Sequence, residues 1–160
     1  MRKVLSIMLI VLALLSCGCE RSEPVPEKGD FSFTLPEGYS IGQITDKDCV
    51  ITGKEGTAIG GIRLAEMTLR DHRDSDGPAI PRYLDGLVEG CEFFSWVEGD
   101  KKAPVRFITQ QFTDPDTRER RILYRILFIK DGGVYDMWFD TGLISEDEIQ
   151  RFHPIALQAN

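Results

Sequence analysis

The stretch Arg121-Ile-Leu-Tyr-Arg-Ile-Leu-Phe-Ile-Lys130-Asp-Gly-Gly133 decides the fold of this chain. An extended strand would carry Ile122, Tyr124, Ile126 and Phe128 on one face and Leu123, Leu127 and Ile129 on the other. Because both faces are apolar, we predict a central strand over residues 118–130 that is covered on two sides. Asp131-Gly132-Gly133 is a hairpin signal, which leads into a further strand over residues 134–141.

The rest of the chain supplies neighbours for this hairpin. Apolar segments bounded by turn residues predict earlier strands over residues 31–35, 48–52, 57–69, 93–98 and 105–113. Helical spacing of apolar residues from Ile80 to Cys91 predicts an amphipathic helix. Ser145-x-x-Glu148 is a capping box for a last helix, which Pro154 should kink or end. The order β-β-β-α-β-β-β-β-α predicts an α+β fold, a mostly antiparallel sheet with helices packed on it.

The beginning of the chain has the pattern of an export signal. Arg2 and Lys3 precede a run of mostly apolar residues that ends at Ser16-Cys17. As a helix, this run would span about 18 Å against roughly 30 Å of membrane hydrocarbon, so it matches a signal-peptide core and not a membrane span. Residues 20–29 are polar, contain two prolines and resemble an extended tether. We therefore expect a signal peptide at 1–16, a tether at 17–29 and one globular domain at 30–160.

The end of this signal, Leu14-Leu15-Ser16-Cys17, resembles the lipobox of bacterial lipoproteins. That resemblance implies cleavage before Cys17 by a dedicated signal peptidase and a diacylglycerol group on the Cys17 thiol. Two or more acyl chains of the palmitate type would anchor the protein to the cell membrane or outer envelope, on the extracytoplasmic side. The alternatives are an ordinary secretory signal and an uncleaved anchor.

Charge and length limit the partners of the mature chain. Removal of residues 1–16 would leave 144 residues, enough for one domain with a substantial core. The net charge is −7, and it becomes −9 because the removed segment contains two cations and no acid. Such an acidic chain is a poor partner for nucleic acid and for anionic lipid headgroups. The expected membrane attachment is therefore the lipid on Cys17.

A second resemblance concerns the start of the expected domain. Phe31-Ser-Phe-Thr-Leu-Pro-Glu-Gly-Tyr39 is similar to the opening of PsbP-like domains, in which two alternating aromatic residues lead to an apolar-Pro-x-Gly-aromatic sequence. That superfamily includes the extrinsic photosystem II subunit PsbP and assorted bacterial lipoproteins, and its element order is similar to the one predicted here. No motif after Tyr39 matches. The resemblance implies an α/β sandwich that serves as a non-enzymatic binding or assembly module, with no cofactor.

Two cysteines of the domain allow two interpretations. An exported compartment permits a disulfide between Cys49 and Cys91. The alternative, which we favour slightly, is a pair of small buried thiols. A Cys–His nucleophile would need a histidine brought close by the fold, since no nucleophile motif adjoins either cysteine in the sequence.

Two further motifs fall short of a binding site. His72, Asp74, Asp76 and Gly77 follow the spacing of a calcium loop, but its first position is a histidine and its twelfth is Tyr83. We therefore expect a solvated surface loop and no metal site. Gly60-Gly61 is not followed by the Lys-Ser/Thr and the helix of a phosphate loop, so close packing of a neighbour or a bulge is the favoured interpretation.

The candidate ligand face lies on the strand after the hairpin. Asp136, Trp138 and Asp140 share one side of that strand and could bind a sugar or a cationic ligand by stacking and hydrogen bonds. Alternatively, a helix covers Trp138 and the aspartates lie at wet strand ends. Two carboxylates can also hydrolyse glycosides, although nothing in the sequence indicates a raised pKa.

Two functions follow from these patterns. The first is a lipid-tethered, non-enzymatic accessory domain that contacts another envelope protein. The second is an envelope ligand-binding protein or hydrolase that uses the Asp136/Trp138/Asp140 face.

Overall fold

A computed structural model describes residues 24–74 and 77–159 of the chain. Its strands are β1 (Ser40–Gly42), β2 (Asp48–Thr52), β3 (Ala58–Leu64), β4 (Glu92–Asp100), β5 (Ala103–Thr113), β6 (Arg120–Lys130) and β7 (Gly133–Asp140). Its helices are α1 (Leu69–Arg73), α2 (Ala79–Leu87), α3 (Glu146–Gln150) and α4 (His153–Gln158). The strands form one seven-stranded sheet in the order β1-β2-β3-β7-β6-β5-β4. Every pairing is antiparallel, so the α+β fold class is as predicted.

The hairpin predicted at Asp131-Gly132 forms at the middle of this sheet. Lys130 pairs with Gly133, and the two residues between them, Asp131 and Gly132, have φ values of 49° and 79°. Positive φ at both central positions defines a type I′ turn, whose twist matches that of the flanking strands. β6 lies between β7 and β5, and residues on both of its faces are fully buried. The prediction of a central strand covered on two sides is confirmed.

Each face of the sheet carries its own hydrophobic cluster. On the α3/α4 face, Ile126, Phe128, Met137 and Phe139 pack with Phe152 and other helix residues. On the α1/α2 face, Ile108, Leu127 and Val134 pack with Ile80 and Leu84 of α2. Because strand residues alternate between faces, Asp136, Trp138 and Asp140 lie on the α1/α2 face.

The expected first strand over residues 31–35 is wrong. These residues join no ladder, and the first strand is the short β1 further along the chain. Phe31 and Phe33 instead place their rings edge-on against Tyr135, at centroid distances of 6.0 and 5.8 Å. The main-chain N–H of Asp30 also donates to the Tyr135 hydroxyl over 2.7 Å. The aromatic alternation thus identified burial on the α3/α4 face, but not the backbone pairing.

The predicted strand over residues 57–69 is too long. β3 ends at Leu64, and Leu69 begins α1, where a surface loop was expected. Thr68 caps α1, since its hydroxyl accepts the Asp71 N–H over 3.1 Å. The amphipathic helix also stops early, at Leu87, because Val88 adopts an extended conformation. The added helix α1 and the division of the last helix into α3 and α4 change the order to β-β-β-α-α-β-β-β-β-α-α.

The C-terminal helix is interrupted as its proline predicts. Ser145 accepts the Glu148 N–H over 3.4 Å and starts α3. α3 ends before Arg151, and Pro154 lies in the first turn of α4. Pro154 fits there because the first turn of a helix needs no N–H at that position. The two short helices together cover the α3/α4 face with Ile149, Phe152 and Ala156.

Candidate functional site

The candidate ligand face is partly occupied by a buried polar network. Arg125 donates from Nη1 to Asp136 Oδ2 over 2.5 Å, and its Nε donates to Gln110 Oε1 over 2.6 Å. Tyr83 of α2 donates its hydroxyl to the same Asp136 oxygen over 2.7 Å. Burial and the neighbouring Asp136 carboxylate raise the pKa of Tyr83, which keeps the phenol protonated as a donor. Asp136 is fully buried and is therefore part of the core, with no surface open to a ligand.

Asp140, at the end of the same face, is also paired. Arg121 donates from Nη2 to Asp140 Oδ2, and the Gly142 N–H donates to Oδ1 over 3.0 Å. Arg121 reaches Asp114 as well, over 3.2 Å. The expectation that the two aspartates stand ready for a sugar or a cationic ligand therefore needs correction. Asp136 is not at a wet strand end either, because α2 covers it through Tyr83.

Trp138 is half-buried between the two aspartates and lies against the glycine pair of β3. A Cβ atom on Gly61 would stand 3.1 Å from the indole nitrogen of Trp138 and 2.6 Å from the carbonyl oxygen of Cys49. One on Gly60 would meet the carbonyl oxygen of Trp138 at 2.0 Å. Glycine is thus required at both positions by close backbone and indole packing. This confirms the packing interpretation of Gly60-Gly61.

Two adjacent cavities open on this face, and we call them together the arginine cleft. The smaller holds about 250 Å³ and is lined by Arg63, Leu87, Val88, Phe112, Arg121, Leu123, Arg125 and Trp138. The larger holds about 480 Å³ and is lined by Lys47, Arg63, Leu64, Glu66, Met67, Asp71, Ala79, Arg82, Tyr83, Gly86 and Leu87. Arg63 and Leu87 line both. The cleft therefore runs along α2, with Arg63 where the two cavities meet.

The cations of the arginine cleft differ in their partners. Arg121 and Arg125 are held by aspartates. Lys47 forms an ion pair with Glu66 at 2.8 Å, at the exposed rim. Arg63 is half-buried on β3, opposite Asp136 of β7, and no hydrogen bond or ion pair of its guanidinium is found within residues 24–74 and 77–159. Its five N–H donors make it the group most able to bind an added anion.

The two cysteines are free thiols on opposite faces of the sheet. Cys49 belongs to the hydrophobic cluster of the α3/α4 face, where burial raises the pKa of its thiol to about 11. Cys91 packs against the cluster of the α1/α2 face and accepts from Gln110 Nε2 over 3.1 Å. The intervening sheet keeps the two sulfur atoms apart. Both cysteines are thus free thiols in the structure, Cys49 buried as the second interpretation expected and Cys91 only partly buried.

His72, which opened the calcium-like stretch, is a core residue of α1. It is fully buried, and its Nε2 donates to the Pro104 carbonyl over 2.8 Å. Burial, opposed in part by this hydrogen bond, lowers the pKa of His72 to about 4. Arg106 binds the His72 carbonyl from Nε and Nη2 over 2.9 and 2.6 Å. In the part of the chain that is described, no group of three or more acidic, histidine or cysteine side chains could hold a metal ion.

The outer edge of the sheet is the second unusual surface. β4 is nine residues long, and among the described residues it pairs with β5 along one side and with no strand along the other. All of its residues except Trp96 are exposed, including Phe93, Phe94 and Val97 at 38 %, 69 % and 46 %. Phe94 and Val97 lie on opposite faces of the strand. Within the described residues, this edge therefore has exposed apolar side chains on both faces, whereas Trp96 stacks on Phe107.

Comparison of the chain with models of protein families, with curated proteins and with solved structures finds no match. No helix within residues 24–74 and 77–159 is both long enough and apolar enough to span a membrane. Cys17 and the rest of the expected export signal lie outside the residues that the structure describes.

Proposed function

We propose that this chain is an extracytoplasmic bacterial lipoprotein, anchored by acyl chains on Cys17, whose domain is a non-enzymatic module that binds another envelope protein. The lipobox-like sequence before Cys17 supports the anchor. The observation that carries the binding part is the long, exposed apolar edge strand β4.

The two edges of the sheet are unequal, and this inequality supports a role for β4. The opposite edge, β1, has three residues, too few to accept a long added strand. A very short edge strand is a usual protection against unwanted pairing, because an edge strand presents unpaired N–H and C=O groups. β4 has nine residues with apolar side chains on both faces. An extended segment of a partner could therefore pair with β4 and cover its aromatic residues.

The charges of β4 indicate the kind of segment that would bind. Glu92, Glu98 and Asp100 are its charged residues, so the strand carries three negative charges and no positive one. A second copy of β4 would bring like charges together, which is unfavourable in a sheet. We propose that the partner contributes an extended apolar segment flanked by lysine or arginine.

Two of the candidate groups, Cys49 and His72, have environments that agree with a non-enzymatic module. The Cys49 thiol, with its pKa raised to about 11 by burial, stays protonated near neutral pH. His72 is enclosed and bonded to the Pro104 carbonyl. Neither group has the exposure that nucleophilic or general-base catalysis requires.

The finer fold assignment, a PsbP-like α/β sandwich, belongs to the same proposal. The nine-residue sequence from Phe31 to Tyr39 supports it, together with a mostly antiparallel sheet that has helices on both faces. The implied role as an assembly module agrees with the use of β4 proposed here, although a fold alone does not assign a function.

Site-specific crosslinking in intact cells tests the binding part. A photoreactive phenylalanine analogue at position 94 of the anchored protein, followed by mass spectrometry, should give one crosslink to an apolar segment flanked by basic residues. The same analogue at position 44 is the matched control, because Ile44 is 63 % exposed but lies in the loop between β1 and β2.

A substitution pair completes the experiment. Phe94→Lys places a charge on the β4 edge and should abolish the crosslink from a probe at position 97, whereas Ile44→Lys should leave it unchanged. Crosslinks solely to a second copy of the chain, or equal capture from positions 94 and 44, would refute the proposed partner.

A further inference from the structure

We infer that the arginine cleft is a binding site for a small organic anion that carries its acid group on an aromatic or aliphatic body. The smaller cavity contains three arginines and no acid in its lining, on a chain whose net charge is −7. Its other lining residues are apolar and include Trp138. A site of this composition attracts the acid group by charge and takes the apolar body by burial and stacking.

Arg63 is the residue expected to bind the acid group. Arg125 already donates hydrogen bonds to Asp136 and Gln110. Arg121 forms ion pairs with Asp114 and Asp140. Arg63 lines both cavities. Within the described residues its guanidinium forms no hydrogen bond or ion pair, and its charge acts on Glu66 and Tyr83 only through space. A guanidinium offers paired N–H donors in the geometry that a carboxylate or a sulfonate accepts.

The acidic residues of the larger cavity do not prevent an anion from binding there. Glu66 is paired with Lys47, and Asp71 accepts the Thr68 hydroxyl over 2.9 Å. Arg82 adds a cation at the exposed side of α2. The volume of about 480 Å³ lies within the range of small-molecule sites.

The ligand class differs from the one that the candidate ligand face left open. Asp136 and Asp140 suggested a site for a cation or a sugar, but both carboxylates already accept hydrogen bonds from arginines. The lining of the cleft contains no residue of β4, the proposed protein-binding edge, although it reaches Phe112 of the neighbouring β5. The inference therefore does not depend on the proposed function.

A matched pair of probes tests the charge requirement. Naphthalene-2-carboxylate and naphthalene-2-carboxamide have the same ring system and differ in charge. Each is titrated by calorimetry into the full chain in a nonionic detergent, where the micelle background is the same for every variant. We expect one-site binding of the carboxylate that is at least about tenfold tighter than that of the carboxamide, because a hydrogen bond to a charged group is the stronger kind.

Variants locate the site. Arg63→Gln should weaken carboxylate binding by about tenfold or more, and Arg63→Lys should restore part of it because the charge is kept. Arg118→Gln is the matched control, since Arg118 is an exposed arginine in the turn between β5 and β6. Urea midpoints of all variants verify folding.

Three results would overturn the inference. They are the lack of carboxylate binding above the micelle background, equal binding of the two probes by the unmodified chain, and equal weakening by Arg63→Gln and Arg118→Gln. The comparison of the two probes needs no variant, so it stands even where Arg63→Gln lowers stability.

Discussion

Replacement of Asp136 by asparagine tests whether this residue is a structural ion-pair partner or a ligand-binding group. Its side chain has 0 % exposure, and that of Arg125 has 5 %, at an N–O distance of 2.5 Å. Asparagine has nearly the same shape and can still accept the Tyr83 hydroxyl, so Asp136→Asn removes little besides the negative charge. The Arg125 guanidinium would then remain buried without a counter-charge.

The expected loss of unfolding free energy follows from this burial. Removal of one partner of a buried pair typically destabilises a protein by about 3 to 5 kcal/mol, because the remaining charge is neither solvated nor paired. A domain of this size has a total stability of roughly 5 to 15 kcal/mol. Asp136→Asn should therefore give a large decrease in the urea midpoint, measured by circular dichroism on the full chain in detergent.

Asp140→Asn is the control, with the same substitution on the same strand and face. Its partner Arg121 is 41 % exposed, so water solvates the guanidinium once the carboxylate is gone. We expect a loss of about 1 kcal/mol, near the range for ion pairs whose remaining partner is solvated, although the Asp140 side chain itself is only 11 % exposed. Arg125→Met combined with Asp136→Asn should cost less than the sum of the single changes by about 2 kcal/mol, since the two residues are in direct contact.

Two results would refute this account of Asp136. The first is a loss no larger for Asp136→Asn than for Asp140→Asn. The second is additivity of the Arg125 and Asp136 substitutions to within about 0.5 kcal/mol, which is the behaviour of independent sites. Either would return Asp136 to the set of residues available to a ligand.

Three further predictions concern other parts of the chain. His72 has a pKa of about 4 when folded and about 6.5 when unfolded, so the unfolded state binds its proton first and stability falls as pH decreases through this range. Between pH 7 and 4.5 the proton uptake of His72 should lower the free energy of unfolding by about 2 to 3 kcal/mol. His72→Gln should therefore lose less unfolding free energy over this pH range than the unmodified chain. Equal losses would contradict this prediction. Gly61→Ala should lower stability by about 1 to 3 kcal/mol because its Cβ would meet the Cys49 carbonyl at 2.6 Å, whereas Gly86→Ala, with open space in α2, should raise it slightly. Cys17→Ser should leave the fold intact and release or misprocess the protein; a wild-type amount at wild-type size in the membrane fraction would disprove lipid anchoring through Cys17.

The middle of the sheet was predictable because its signals are local and agree with one another. Asp131-Gly132 sets the turn type, and the turn fixes the pairing of the two strands. Alternating apolar residues then assign every side chain of β6 to one of two buried faces. Ser145 and Pro154 likewise act through their own backbone groups, which is why the start of α3 and an interruption of the last helix were anticipated.

The segment before β1 was not predictable from the same kind of pattern. Phe31 and Phe33 alternate with polar residues in the manner of a strand, but alternation reports only that one side of an extended segment is buried. Whether that segment pairs with a strand edge or lies across a sheet face depends on distant residues. Here the deciding contact is Tyr135, about a hundred residues away, which receives both phenylalanine rings and the Asp30 N–H.

The register of the central hairpin could have predicted part of the candidate site, but not all of it. With Lys130 opposite Gly133, Arg125 pairs with Trp138 and Leu127 pairs with Asp136, so Arg125 and Asp136 become diagonal neighbours on one face. This ion pair could therefore have been found from the turn. The role of Arg63 could not have been found in this way, because its position beside Asp136 requires the pairing of β3 with β7, which are far apart in the chain. The only local signal was an arginine inside an otherwise apolar strand.

The distribution of charge separates the two proposed surfaces by the sign of what each would attract. The inner strands β3 and β6 place Arg63, Arg121 and Arg125 around Trp138, while the β4 edge has three acids and no base. An organic anion is therefore drawn to the cleft and repelled by the edge, and a basic segment experiences the reverse. Since both attractions are electrostatic, salt weakens both and cannot distinguish them. Single substitutions can distinguish the two surfaces, because Phe94→Lys changes only the edge and Arg63→Gln changes only the cleft. If either variant lost both partner crosslinking and anion binding, the two surfaces would be one site.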